Sequence, residues 1–299
     1  MKKLLIILFA ICLIAIPSDA KRWKAKHVVF IGIDAWGAYS VKKSEYIPNI
    51  RSLMDNGCYS LKKRSVMPSA SAINWASMFN GAPTEMHGYF QWNSKVPDIP
   101  SMYTNSRGVF PTIFSIMREQ IPNAEMGCIY EWDGVKYVID SVAVDYRDYA
   151  PDYRDDPEHL TRMAEKYIKE KKPTLFAVCY VHLDWVGHHE GHDTQGYYDC
   201  LSLLDKQVGR IIQATKDAGI YDETIFIMTG DHGGVDKGHG GRTLLELETP
   251  FVVSGKGVKK LGEIDDVVMQ YDTAATIAEV FNLKRPQAWR GVPIYSVFK

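Results

Sequence analysis

The sequence predicts a doubly wound α/β fold, a mostly parallel sheet with helices on both faces in three α/β/α layers. Three observations predict it. Residues 28–33, 174–183, 224–228 and 251–253 form continuous apolar runs rich in β-branched residues, without the alternation of a half-exposed strand. Helical patterns separate these runs. The strong polar signals collect at the C-terminal ends of three of them, where an open α/β sheet binds its ligands.

The elements follow in order. The first run, "VVFIGI", leads directly into Asp34. "MPSASAINWASMFNGAPTEMHG" supplies Ser69, Ser71 and Asn74 ahead of a helix-like 75–79 segment. A Ser at a helix N-terminus feels the positive end of the helix dipole, although an N-cap role alone would also explain it. Residues 89–156 are rich in aromatics, Pro and Asp. They read as excursions from the sheet, either shaping a ligand pocket or plain surface loops, with one helix near 111–119 and a strand near 126–130. Pro157 opens a helix with Leu160, Met163, Ala164, Tyr167 and Ile168 on one face. The second run, "LFAVCYVHLDWVGHHEGH", ends among Asp184, His188, His189 and His192. Leu201, Leu204, Val208, Ile211 and Ile212 mark a helix that stops near Gly219. The third run leaves into "TGDHGGVDKGHGG", which presents Asp231, His232 and His239 among six glycines. All four runs are read as parallel strands, and Asp272 caps a last helix through residue 281.

Composition bounds the function. The chain has 299 residues, 46% hydrophobic and 24% charged, with a formal net charge of −1. A near-neutral chain has no global field to select nucleic acid or an anionic membrane. Met1-Lys2-Lys3, a run of 13 apolar residues at 4–16 and the small residues before Ala20 form a secretory signal pattern. The expected organisation is therefore a signal peptide at 1–20 and a single catalytic domain at 21–299, exported to the periplasm or medium, without a stable membrane anchor. Cys58, Cys128, Cys179 and Cys200 then face an oxidising compartment and allow three connectivities if both bridges form.

The constellation selects a chemistry. Buried Asp and His are costly without partners. Three strand ends converging on carboxylates and imidazoles, with no thiolate, suit divalent metal, zinc first and Mn²⁺ as an alternative. The candidate ligands outnumber what one tetrahedral ion can use. Two ions about 3.5–4 Å apart would use them, a recurrent device for displacement at phosphorus.

With these residues in view, the chain resembles the alkaline phosphatase superfamily, and within it the nucleotide pyrophosphatase/phosphodiesterase family. Residues 68–74, "PSASAIN", then Asn80-Gly81 and Glu85-Met86-His87-Gly88 align without a gap to the family's P-T-x-T-x-P-N-x and T-G-x-x-P-E-x-H-G segments. Asp184-Trp185-Val186-Gly187-His188 matches its D-x-x-G-H, Asp231-His232-Gly233 its D-H-G, and His239 its last metal-binding His. The resemblance implies Ser71 as nucleophile and Asn74 as donor to a non-bridging phosphate oxygen. It implies one zinc on Asp184, His188 and His239, and another on Asp34, Ser71, Asp231 and His232. His87, His182, His189 and His192 match no ligand position. The chain departs from the family in having Ser for Thr at position 71, Ala72 where an aromatic commonly stacks a nucleobase, and six residues between His232 and His239. Ile73 and Trp75 replace the Pro and Arg of the sulfatase motif, which disfavours a sulfatase. The expected activity is a secreted two-zinc phosphoesterase cleaving phosphodiester or pyrophosphate bonds of small-molecule substrates. The alternatives are a phosphomonoesterase, a phosphosugar mutase or phosphoryl transferase, and a non-catalytic metal-binding relative.

Overall fold

A computed structural model describes residues 23–299. The signal pattern at 1–20 lies outside the described residues. Eight strands form one sheet: β1 (His27–Ile33), β2 (Gly57–Arg64), β3 (Met126–Tyr130), β4 (Tyr146–Tyr149), β5 (Leu175–Tyr180), β6 (Thr224–Gly230), β7 (Glu248–Gly255) and β8 (Gly262–Glu263). Their order across the sheet is β4-β3-β5-β1-β6-β7-β2-β8. The helices are α1 (Tyr39–Lys43), α2 (Pro48–Asp55), α3 (Ser71–Asn80), α4 (Thr84–His87), α5 (Ile113–Gln120), α6 (Val135–Val138), α7 (His159–Lys171), α8 (His182–Glu190), α9 (Gln195–Asp217), α10 (Leu244–Leu247) and α11 (Asp272–Val280).

The centre of the sheet is parallel, as expected for strands covered on both faces: β1 pairs with β5 and β6, and β3 pairs with β5 and β4. One expectation is corrected. The 251–253 run belongs to β7, which is antiparallel to both β6 and β2. A strand buried on both faces carries the same continuous apolar signal whichever way it runs, so periodicity could not fix its direction. The 174–183 run is strand only as far as Tyr180, because α8 begins at His182.

The two faces bury separate apolar cores. One contains Phe30, Trp75, Phe79, Phe114, Cys128, Cys179 and Phe281, under α3, α5, α6 and α11. The other contains Ile31, Trp36, Leu53, Tyr180, Leu204, Val208 and Phe226, under α2, α7, α8 and α9. This is the three-layer α/β/α arrangement expected. The four cysteines are free and buried. The 89–156 stretch contains the expected helix and strand, as α5 and β3, and also adds β4 to the sheet edge.

Candidate metal centre and substrate pocket

Each candidate ligand is delivered by a strand end. Asp34 follows β1 and is 1% exposed. Its neighbour Ala35 sits at φ 57°, left-handed backbone that a non-glycine residue adopts only under constraint. The Ala35 N–H donates to Asp231 Oδ1 at 3.0 Å, so this turn ties the end of β1 to the end of β6. Asp184 lies in the first turn of α8, directly after β5, and His188 one turn on, so both face the same side. Asp231 and His232 follow β6, and both are fully buried. Ser71 is the first residue of α3.

The ligand atoms form two clusters. In one, His188 Nε2 is 3.1 Å from His239 Nε2, and Asp184 Oδ1 lies 3.5 Å from each. In the other, His232 Nε2 is 3.3 Å from Asp34 Oδ1, 3.4 Å from Asp231 Oδ2 and 3.3 Å from Ser71 Oγ. The clusters adjoin, because the His232 and His239 rings stack with centroids 3.9 Å apart. Donors around a tetrahedral zinc with bonds of roughly 2.0–2.1 Å stand about 3.3 Å apart. The observed spacings match that figure.

Two further observations test whether these residues suit a cation. The oxygens aimed into the clusters, Asp34 Oδ1, Asp184 Oδ1 and Asp231 Oδ2, are buried and have no hydrogen-bond partner among the described residues. Orphaned buried carboxylate oxygens are costly, and a cation would satisfy them. The imidazoles are also oriented for ligation. His188 Nδ1–H donates to Lys237 O at 2.9 Å, His232 Nδ1–H to Gly233 O at 2.8 Å, and His239 Nδ1–H to Ser69 O at 3.1 Å. Each carbonyl fixes the tautomer and leaves a bare Nε2 facing the cluster, the usual support of a metal-ligating His. Without a cation, burial and mutual repulsion raise the carboxyls of Asp34 and Asp231, the latter to about 8. Burial lowers His232 and His239 to about 3. The residues present fit two divalent cations.

The structure brings together seven of the eight residues singled out and leaves one aside. Asn74 is fully buried and absent from the pocket wall. Its Oδ1 accepts from Val66 N at 2.8 Å, and its Nδ2 donates to the carbonyls of Val66, Pro68 and Ala70 at 3.1–3.2 Å. Its amide is consumed in shaping the 66–70 loop that delivers Ser71. In this structure its amide faces that loop and not the pocket.

Lys63 and Gln270 gave no clear sequence signal, and His192 was read only as matching no ligand position. Lys63 is wholly buried and donates to Gly230 O at 2.9 Å and to Gln270 Oε1. Gln270 in turn donates to Asp231 O at 2.9 Å. The register of β2 shifts between Ser60 and Lys63, which turns a lysine inward that strict alternation would expose. His192 is 4% exposed and wedges its ring between Gly187 and Gly234. A Cβ at either glycine would come within 2.3 Å of that ring, which accounts for glycine beside His188 and near His232.

In front of the clusters lies a pocket of about 910 Å³. Ser71, Asp34, Asp184, His188 and His239 form its polar wall; Phe90, Trp92, Trp132, Tyr149, Tyr153 and Trp185 line much of the rest. Most of these aromatics come from the 89–156 stretch that the sequence marks as pocket-shaping. Among the described residues, no helix is long and apolar enough to cross a membrane.

Paired carboxylate–imidazole clusters beside a hydroxyl, at the carboxyl edge of an open α/β sheet, suit metal-dependent chemistry on phosphate esters. The family model for type I phosphodiesterase / nucleotide pyrophosphatase matches residues 28–294, and the chain belongs to that family, within the alkaline phosphatase superfamily. It is 27% identical over 155 residues to the catalytic subunit of human GPI ethanolamine phosphate transferase 2, a match covering 50% of this chain and 16% of that protein. It is 24% identical over 259 residues to GPI ethanolamine phosphate transferase 1 of Candida glabrata, covering 82% of this chain and 27% of that protein. The chain thus spans only about a quarter or less of these relatives' length. Murine ectonucleotide pyrophosphatase / phosphodiesterase 5 shares the fold, with a TM-score of 0.71 at 14% identity over 91% of this chain and all of that one.

Proposed function

We propose that the chain is an exported phosphodiesterase that uses two zinc ions and Ser71 to cleave small-molecule phosphodiester or pyrophosphate bonds. The observation that carries this reading is the pair of adjoining clusters with Ser71 Oγ 3.3 Å from His232 Nε2. Asp184, His188 and His239 would hold one ion; Asp34, Ser71, Asp231 and His232 would hold the other. Bound there, the ions would lower the pKa of a coordinated hydroxyl and neutralise charge developing on phosphate oxygens.

The chain's own residues do the rest. The N-terminal position of Ser71 on α3 favours negative charge on its oxygen. Trp75 Nε1–H donates to Asp34 Oδ2 at 3.3 Å and holds that carboxylate in place. Ser71 gives up its proton as Oγ bonds to phosphorus, the P–O bond to the alcohol or phosphate on the opposite side breaks, that oxygen takes up a proton as it departs, and the remaining phosphoryl group stays as an ester of Ser71. Water then cleaves that ester and returns Ser71. Export rests on the 1–20 pattern, and the reading of 21–299 as one domain is supported by a single continuous sheet.

A second reading is suggested by the human and Candida glabrata relatives, which are named as transferases: an alcohol replaces water in the second step. One experiment addresses both. The zinc-loaded protein is assayed on bis-p-nitrophenyl phosphate and p-nitrophenyl phosphate, with and without added ethanolamine or glycerol. Hydrolysis of the diester exceeding that of the monoester is expected, with at least a 10³-fold loss in Ser71→Ala. Ser71→Ala retaining full activity on both esters contradicts the nucleophile assignment. Phosphorylated acceptor in place of released phosphate monoester favours transfer.

A further inference from the structure

Ala35 is an alanine in left-handed backbone beside the metal centre, and a tyrosine of a distant helix holds it there. It follows Asp34, is wholly buried and has φ 57°. A non-glycine residue keeps that conformation only where the surrounding structure imposes it. Backbone hydrogen bonds hold the two ends of the turn, Asp34 N to Tyr180 O at 2.8 Å and Ala38 N to Glu248 O at 2.9 Å. Inside it, the Gly37 N–H reaches Ala35 O at 3.1 Å. The middle of the turn is anchored from α9. Tyr197 Oη donates to Ala35 O at 2.7 Å and accepts from Gly37 N at 3.3 Å. Tyr197 is wholly buried in the second apolar core, so the packing of its ring fixes where the hydroxyl stands.

The Asp231–His232 segment is seated against this turn. Ala35 N donates to Asp231 Oδ1 at 3.0 Å, which leaves Oδ2 without a hydrogen-bond partner, 3.4 Å from His232 Nε2. Gly230 and Gly233 flank the segment, and both press on the turn. A Cβ at Gly230 would stand 2.6 Å from Trp36 O, and one at Gly233 would stand 3.0 Å from the Gly37 Cα. A displacement of the turn therefore moves Asp34 and Asp231 relative to each other. Ligands around a metal ion tolerate little of this, because their bond lengths are set to within about 0.2 Å.

We propose that Tyr197 is a positioning residue of the metal centre: its hydroxyl pins the 35–37 turn, and the turn sets Asp34 and Asp231 at the spacing a cation needs. The cluster it serves is that of Asp34, Ser71, Asp231 and His232. The other cluster is approached by the ring of Tyr197 and not by its hydroxyl. That ring lies 5.6 Å from His192, whose imidazole is wedged against Gly187 and Gly234. Tyr197→Phe keeps the ring and removes only the pin. It leaves Ala35 O and Gly37 N to each other, so the fold is expected to stand. The consequence for metal rests on the two-cation reading, but the pin itself can be measured without metal.

The test has two arms. In the first, amide hydrogen exchange is followed by mass spectrometry in the metal-free chain. Tyr197→Phe is expected to speed exchange roughly tenfold at residues 35–38 and to leave β3 and α7 unchanged. In the second, zinc uptake is titrated against a chelating indicator. Two ions per wild-type chain are expected, and the one that Asp34→Ala abolishes is the ion of the affected cluster. Tyr197→Phe is expected to weaken that ion roughly tenfold and to leave the other within about twofold. Adding Ala35→Gly tests the route. Glycine takes a positive φ freely, so in that background loss of the hydroxyl is expected to cost about threefold or less. A hydroxyl acting only through core packing would cost the same factor in both backgrounds, and that result overturns the proposal. Equal weakening of both ions also overturns it. Unchanged exchange in the turn with both ions bound as in wild type overturns it too, and leaves the two-cation reading standing. Faster exchange in the turn, with no zinc taken up by the wild-type chain, supports the pin and defeats the two-cation reading.

Discussion

Ser71, Asn74 and the three imidazoles show how little of a side chain's role its type decides. Ser71 and Asn74 are both buried polar residues of α3, three positions apart. Ser71 opens on the pocket, whereas all the hydrogen-bonding capacity of Asn74 goes to the loop before it. Replacing Asn74 by Ala orphans Val66 N and Val66 O, while Pro68 O and Ala70 O keep backbone donors, so a loss of about 2–4 kcal/mol in unfolding free energy is expected. Denaturant unfolding measures it. An unchanged unfolding curve with kcat/KM reduced a hundredfold would instead return Asn74 to substrate contact. The seven clustered residues were legible because carboxylates and imidazoles at three strand ends have few other uses. The orientation of Asn74 was not legible, because a motif position fixes the residue and not where its amide points. Lys63 and Glu131 were not legible: a bulge turns one inward, and backbone N–H groups at the β5–α8 junction hold the other.

At the scale of elements, the strand-to-helix junctions carry the site, and the packing behind them sets their tolerance to pH. His87 ends α4, is wholly buried, accepts from Tyr89 N through Nδ1 at 3.1 Å and donates from Nε2 to Ser77 Oγ at 2.8 Å. It thereby joins α3 to the start of the pocket-forming stretch. Burial lowers its pKa to about 3. The folded-state pKa is thus depressed below the ordinary 6.5. Below pH 6.5 the unfolded chain takes up a proton that the folded chain refuses until about pH 3. Stability is therefore full above 6.5 and falls with pH through that window, by about 1.4 kcal/mol for each unit. His87→Gln removes this proton, so urea unfolding at pH 7, 6 and 5 should give a shallower decline than in wild type. Identical slopes would mean that His87 is protonated in the folded state. The helices between strands were readable from apolar periodicity, as in α7 and α9. The direction of β7 was not, because a strand buried on both faces reads the same either way, nor were the short edge strands β4 and β8, whose two to four residues hold too little pattern to read.

For the whole molecule, one sheet sandwiched between two apolar cores brings residues from 34 to 239 to a single edge. The orphaned oxygens of Asp34, Asp184 and Asp231, together with the bare Nε2 atoms of three histidines, make that edge a place for cations. The fold class was legible from four apolar runs, since a sheet covered on both faces leaves little choice of architecture. The pocket was legible only as a region, since its wall is built from side chains of separate loops. The most direct measurement is anomalous scattering from a crystal of the zinc-loaded protein, recorded on both sides of the zinc absorption edge. Two peaks about 3.5–4 Å apart are expected. Asp184, His188 and His239 should bound one, and Asp34, Ser71, Asp231 and His232 the other. No peak at either cluster, or zinc bound only elsewhere on the chain, would contradict the bimetallic centre.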